Sequence, residues 1–213
     1  MQWTHKHYPE IQVGIDEAGR GPLCGPVVAA AVVLPSKPHI SFKEVKDSKK
    51  LKESDRTLLS KVIKQRSVTY GIGIATAEEI DNVNILEATY LAMNRALDQV
   101  RNRLPRIDVV LVDGNRFKPL GENKDISYTC IVKGDDTYYS IAAASILAKV
   151  TRDTMMHDLC SKNPVLKNYS IHTNMGYGSQ FHRDAIERLG ITSSHRKTFE
   201  PCTGKTVVYD LEN

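Results

Sequence analysis

The sequence predicts an α/β domain on a mixed five-stranded sheet, three strands antiparallel and two added by crossover, flanked by helices and followed by a helical tail. Three observations carry this. Two apolar runs within VGIDEAGRGPLCGPVVAAAVVLP read as strands at about 12–17 and 27–34, and the alternating SVTYGIGIATA reads as a third. The wholly apolar run in IDVVLVDG, of the kind buried on both faces of a sheet, precedes a fifth strand in ISYTCIVKGDD. Segments of helical period separate and follow the later strands.

Taken in order, Pro35 to Pro38 mark a turn after the second strand, and the lysine-rich KEVKDSKKLKESD leads into RTLLSKVIKQ. Leu58, Leu59, Val62 and Ile63 give that piece helical spacing. In the third strand Val68, Tyr70, Ile72 and Ile74 alternate with smaller or polar neighbours. One helix is expected from Glu78 to Leu104, with Ile85, Ala88, Ala92, Ala96 and Val100 close to one face and Pro105 stopping it. The segment YYSIAAASILAKVTRDTMMHDLC reads as a long helix rich in Ala, Ile and Leu. An irregular loop over 161–178, with Pro164 and several asparagines, connects it to the helix SQFHRDAIERLG, which closes on Gly190. The expected division is a catalytic domain over 1–190 and a C-terminal extension over 191–213 packed on it.

Composition narrows the class of protein only a little. The chain has 213 residues, enough for one substantial core. Its net charge of +4 is a mild basic excess that favours a polyanionic partner without the bias of a purely electrostatic binder. MQWTHKHYPE has no apolar h-region and no run of about 18 apolar residues occurs, so no membrane association and a cytoplasmic location are expected. Cys24, Cys130, Cys160 and Cys202 form no C-x-x-C pair, which argues for free thiols rather than a disulfide framework or a zinc site. His157 and His172 near Cys160 read as surface or core residues rather than ligands.

Carboxylates at strand ends are the chemical signal. Asp16 and Glu17 sit side by side where the first strand ends, and Gly19, Gly21 and Pro22 break the chain at once. Consecutive strand residues point to opposite faces, so the two serve one site only if the strand ends or twists there, and a solvated turn is the plainer reading. Asp113 ends the buried run VVLV, where open α/β sheets place ligands, although a D-G turn is common. Ser145, Lys149 and Asp153 form a polar stripe at i, i+4 and i+8 on the alanine-rich helix, and Lys149 with Asp153 also fits a weak surface pair. Should Asp16, Glu17, Asp113 and Asp153 converge, their repulsion would need cations. All-oxygen ligation suits Mg²⁺ or Mn²⁺, and two such ions suit phosphodiester hydrolysis.

The motifs GIDEAGRGPLCGPVVAAAVVLP, DSKKL, NILEATYLAM, VDG, KGD, SIAAASILAKVTRD, GYG and SHRKTFEP occur in an order that resembles the type 2 ribonucleases H, specifically the bacterial-type ribonuclease HII family, from about Gly14 to Pro201. The resemblance implies a ribonuclease H-like sheet with a C-terminal helical extension. It implies cleavage of RNA in RNA/DNA hybrids and at ribonucleotides embedded in duplex DNA, leaving 3′-hydroxyl and 5′-phosphate ends. By it Asp16, Glu17 and Asp113 match the principal metal ligands and Asp153 the fourth acidic residue, holding two Mg²⁺ or Mn²⁺ ions.

The same resemblance gives Gly19, Arg20 and Gly21 contacts to the 2′-hydroxyl, the group that separates RNA from DNA at one position. Tyr177 matches the tyrosine that packs on the next sugar at the RNA-to-DNA junction; unaided, it would read as a core or loop tyrosine. Lys49, Lys50, Lys133, Ser145 and Lys149 look like phosphate contacts, with Arg196 and Lys197 as further candidates, although a solvated charge run also explains the lysine loop. Met175 stands where a lysine is common in the family. A monomer is expected, and TVVYDLEN shows no clamp-binding motif or other readable protein partner. The rival readings are a ribonuclease HIII-like activity needing longer RNA runs, and an inert nucleic-acid-binding protein on the same scaffold.

Overall fold

A computed structural model describes residues 1–4, 11–37, 42–46 and 48–209. Pro38, Asp47 of the DSKKL motif and the last four residues of TVVYDLEN lie outside them. In chain order the elements are β1 (Gln12–Ala18), β2 (Val27–Val33), α1 (Glu53–Arg66), β3 (Thr69–Ala75), α2 (Ala77–Val83), α3 (Ile85–Arg101), β4 (Val109–Asp113) and β5 (Tyr128–Ile131). Then come α4 (Gly134–Thr137), α5 (Tyr139–Lys162), α6 (Ile171–Asn174), α7 (Gln180–Leu189), β6 (Ile191–Thr192) and β7 (Val207–Tyr209). Two compact units share the chain. One comprises Met1–Ala18, Val28–Ile74 and Thr89–Val150, the other Gly19–Val27, Ala75–Ala88 and Thr151–Asn213.

The first unit holds the mixed five-stranded sheet, in the order β3-β2-β1-β4-β5. β1 pairs antiparallel with β2, Val13 opposite Val33, and parallel with β4, Ile15 beside Val112. β4 pairs parallel with β5, placing Asp113 beside Ile131. Close backbone approach explains the small residues. A Cβ on Gly14 would lie 2.2 Å from the Ser140 carbonyl carbon, so β1 touches the backbone of α5 there. Ala142, Ala143, Ala144 and Ala148 of α5 share a core with Ala30, Val32, Phe42 and Ile63.

In β3 the buried face is the small one: Thr69, Gly71, Gly73 and Ala75 are buried, while Tyr70, Ile72 and Ile74 are half-buried and Val68 is exposed. The reason is α3. A Cβ at Gly71 or Gly73 would come within 2.0 or 1.9 Å of the carbonyl oxygens of Ala96 and Ala92.

The single helix expected from Glu78 to Leu104 is two helices. Asn84, at φ 71°, breaks it, and its Oδ1 accepts from the N–H groups of Leu86 at 2.9 Å and Glu87 at 3.1 Å, capping α3. Thr76 and Glu79 form a reciprocal capping box that starts α2.

In the second unit the loop expected over 161–178 is largely helical. A 3₁₀ turn covers Pro164–Tyr169 and α6 follows at once. Its core gathers Leu23, Met156, Leu166, Tyr169, Ile186 and Ile191. β6 and β7 pair parallel, Ile191 beside Val207. No helix among the described residues is long and apolar enough to cross a membrane.

Candidate active site

Because β1, β4 and β5 are parallel and in register, their carboxyl ends emerge on one side of the sheet in the first unit. Asp16, Asp113 and Asp135 gather there, with one ligand oxygen from each within 4.8 Å of the others. Asp16 and Asp135 are buried and Asp113 is half-buried. Glu17 is half-buried at the end of β1 and lies outside this mutually close trio. Asp135 is the residue that sequence reasoning passed over, although it stands in the KGDD that ends the fifth-strand segment.

Each carboxylate is fixed by its neighbours. Asp16 Oδ1 accepts the N–H of Glu17 at 2.7 Å, and Ser145 donates to Asp16 from α5. Asp113 Oδ1 accepts the N–H of Gly134 at 2.7 Å, with the N–H of Asp135 at 3.4 Å. Lys133, at φ 57°, turns the chain from β5 into α4 and is exposed. Ser145, expected at a phosphate, is buried, and its Oγ lies 3.0 Å from that of Ser48. Lys149, one turn on, is half-buried. Lys49 Nζ stands 3.9 Å from Asp135 Oδ2, and Lys50 pairs with Asp136.

The electrostatics disfavour three bare charges. Burial, then the charges of Glu17 and Asp113, push the Asp16 carboxyl well above the usual aspartate range, against hydrogen bonds from Ser145 and the Glu17 N–H. At this separation each ionised pair repels by about 3 kcal/mol at an effective dielectric of about 20. The Lys49 side chain is 82% exposed, so its pairing offsets about 1 kcal/mol at most. Repulsion wins, and hard oxygen donors of this kind fit a divalent cation such as Mg²⁺ or Mn²⁺.

The second unit contains the Gly-Arg-Gly turn, which rests on two fully buried arginines. Arg196 donates from Nη2 to Gly19 O at 2.5 Å, from Nη1 to Arg20 O at 2.8 Å and from Nε to Gly25 O at 3.0 Å. This side chain, expected at a phosphate, is therefore committed to main-chain carbonyls. Arg152 donates to the carbonyls of Pro26 at 3.0 Å, Cys24 at 3.2 Å and Met175 at 3.0 Å. Burial, then the charge of Arg152, lower Arg196 to about 9. Gly19, at φ 95°, is obligatory: a Cβ there would lie 2.1 Å from Arg152 Nε. Asp153, half-buried on α5, follows Arg152 and interacts electrostatically with it.

Tyr177 is 46% exposed, and the Arg152 guanidinium carbon lies 5.8 Å from its ring centroid. A Cβ on exposed Gly21 would lie 3.9 Å from Tyr177 Cε1, so the turn and the tyrosine are neighbours. A buried histidine pair, which sequence reasoning missed, supports Tyr177. His195 Nδ1 accepts the N–H of Thr192 at 3.0 Å, which leaves the proton on Nε2 to donate to His182 Nε2 at 3.0 Å. His182 Nδ1–H then donates to Tyr177 O at 2.9 Å.

The ribonuclease HII family model matches residues 13–202. The chain belongs to the ribonuclease HII family. It is 47% identical over 189 residues to the ribonuclease HII of Parabacteroides distasonis, covering 89% of each chain. Among solved structures, ribonuclease H2 from Pyrococcus horikoshii OT3 is similar at TM-score 0.68 and 27% identity, over 91% of this chain and 95% of that one. The fold of Bst-RNase HIII in complex with Mn²⁺ matches at TM-score 0.69 and 21% identity, over 87% of this chain and 65% of that one. As a ribonuclease HII relative the protein is a ribonuclease H, a nuclease of the hydrolase class.

Proposed function

We propose that the protein is an endonuclease that hydrolyses the RNA strand of RNA/DNA hybrids and cleaves 5′ of ribonucleotides embedded in duplex DNA. The observation that carries this is the close trio of Asp16 and Asp113, at the carboxyl ends of parallel β1 and β4, and Asp135, in α4 just after β5, in a chain of the ribonuclease HII family. Asp16 and Asp113, with Glu17 and Asp153 as the further acidic residues and Asp135 beside them, would hold two Mg²⁺ or Mn²⁺ ions. The manganese bound by the ribonuclease HIII neighbour agrees with this donor chemistry.

When bound, the ions supply an activated water and stabilise the leaving oxygen. Cleavage forms a P–O bond to that water and breaks P–O3′, so one product ends in a 3′-hydroxyl and the other in a 5′-phosphate. The residues of the chain orient the reaction. Ser145 and the Glu17 N–H hold the Asp16 carboxylate, while the Gly134 N–H holds that of Asp113. Lys49, Lys50, Lys133 and Lys149 supply positive charge for the phosphate backbone. Gly19, Arg20 and Gly21 meet the ribose 2′-hydroxyl, and Tyr177 packs against the following sugar.

The test is cleavage of an RNA/DNA hybrid and a duplex with one ribonucleotide, side by side, in Mg²⁺, in Mn²⁺ and in chelator. Metal-dependent cutting of both, with 3′-hydroxyl ends 5′ of the single ribonucleotide, is expected. Cutting of the hybrid alone would point to the ribonuclease HIII-like activity, and binding without cutting to an inert scaffold.

A further inference from the structure

The Gly-Arg-Gly turn is held by a side chain 176 residues from Arg20 and 177 from Gly19 in sequence. In a trans peptide unit the C=O of one residue and the N–H of the next point in opposite directions. Arg196 draws the carbonyls of Gly19 and Arg20 onto its buried fork, which turns the N–H groups of Arg20 and Gly21 the opposite way. Arg20 and Gly21 are exposed, whereas Arg196 has no exposure at all. Hydrogen bonding at the carbonyl end also polarises the peptide and strengthens its N–H as a donor.

Other contacts make Arg196 a fixed platform. Its own N–H donates to Leu23 O at 2.8 Å, its Nε to Gly25 O, and its guanidinium carbon lies 5.1 Å from the Phe199 ring centroid. The turn is therefore gripped at 19, 20, 23 and 25 by one residue. Gly19 is also packed against Arg152, so neither peptide plane can rotate without displacing a buried guanidinium.

We propose that Arg196 is the positioning residue for ribose recognition, its planar fork fixing the two peptide planes whose N–H groups face the 2′-hydroxyl of the target nucleotide. This rests on the reading that the Gly-Arg-Gly turn recognises ribose. A lysine at 196 keeps a charge but has no planar fork to hold two carbonyls at once. Loss of the fork weakens a contact that deoxyribose never makes, so ribose selectivity falls while affinity for the DNA backbone stays.

The experiment compares wild type with Arg196→Lys and Arg196→Met in the full chain, after thermal melting identifies which variants are folded. It measures kcat/KM for a duplex with one ribonucleotide, and Ki for the same duplex in all-DNA form as a competitive inhibitor. The half-saturating Mn²⁺ concentration is followed in parallel. A folded variant should lose roughly 10- to 100-fold in kcat/KM, with Ki and the Mn²⁺ requirement within about 3-fold of wild type. Arg196→Lys, the milder change, carries the test if Arg196→Met does not fold. Equal losses in kcat/KM and in all-DNA affinity, or no loss in either, would overturn the proposal and leave Arg196 a purely structural residue. A wild type that binds ribonucleotide and all-DNA duplexes equally would overturn the underlying reading of the turn, and this inference with it.

Discussion

The main-chain N–H of Gly134 donates to Asp113 Oδ1 at 2.7 Å, fastening the turn after β5 to the carboxylate that ends β4. A Cβ at 134 would lie 2.6 Å from Ile141 Cδ1 and 3.3 Å from that same oxygen, so a larger residue there would have to displace the Ile141 side chain and crowd the carboxylate. Asparagine at 113 keeps an oxygen for this hydrogen bond and loses only the charge. Asp113→Asn should therefore melt like wild type and bind duplex, yet cleave at least about 10²-fold more slowly, the equivalent of about 3 kcal/mol of charge stabilisation. Near-normal turnover in a single-turnover assay would remove Asp113 from the chemistry.

Asp16 links metal to stability. Its folded-state pKa lies well above the ordinary 3.8, chiefly through burial. As pH rises past 3.8 the unfolded chain releases its proton first, so the folded state holds more protons and stability falls until Asp16 itself ionises. The fall is at most about 1.4 kcal/mol per pH unit, and a bound cation offsets it. In chelator at neutral pH, Asp16→Asn should melt above wild type, whereas Mn²⁺ should raise the wild-type Tm and barely move the variant. Identical responses to Mn²⁺ in the two proteins would contradict this.

Asp135 faces two explanations, a partner for Lys49 or a member of the metal site. Its buried carboxyl and its closeness to Asp16 and Asp113 favour the second, because the Lys49 pair is too exposed to contribute much. Asp135→Asn should raise the half-saturating metal concentration by roughly 10- to 100-fold. Lys49→Met should leave that concentration unchanged. A titration of activity against Mn²⁺ for both variants distinguishes the two.

The sheet was legible because burial on both faces leaves a mark that one chain carries by itself: VVLVD and VVAAAVV have few other uses. Asp16 and Asp113 were legible for the same reason, as charges at the ends of apolar runs. What escaped depends on partners distant in sequence. In β3 the larger alternating residues attract attention, yet the glycines face α3, and only the approach of Ala92 and Ala96 decides which face is buried. The helix break at Asn84 was written locally, in a capping asparagine, but the apolar period running through it masked it. Asp135 followed a glycine in an exposed-looking KGDD, where nothing local signals burial. Arg196 read as a further candidate phosphate contact because its acceptors are carbonyls, which the sequence does not display.

The His182–His195 pair makes the second unit sensitive to acid. Burial, then the neighbouring ring, lower His195 from 6.5 to about 3, and burial lowers His182 as well. Below 6.5 the unfolded chain takes up protons that the folded pair refuses, so stability is fully present above 6.5 and declines as pH falls toward 3. The slope is up to about 1.4 kcal/mol per pH unit for each histidine that stays neutral. The same chain of hydrogen bonds ends on the Tyr177 carbonyl, so protonation should loosen the segment that carries Tyr177 along with the fold. His195→Gln removes the group with the largest depression. It should lower stability at pH 7 and flatten the dependence of urea-derived stability on pH between about 6.5 and 4. A variant whose curve parallels wild type through that range would show that the histidine pair does not set the acid limb.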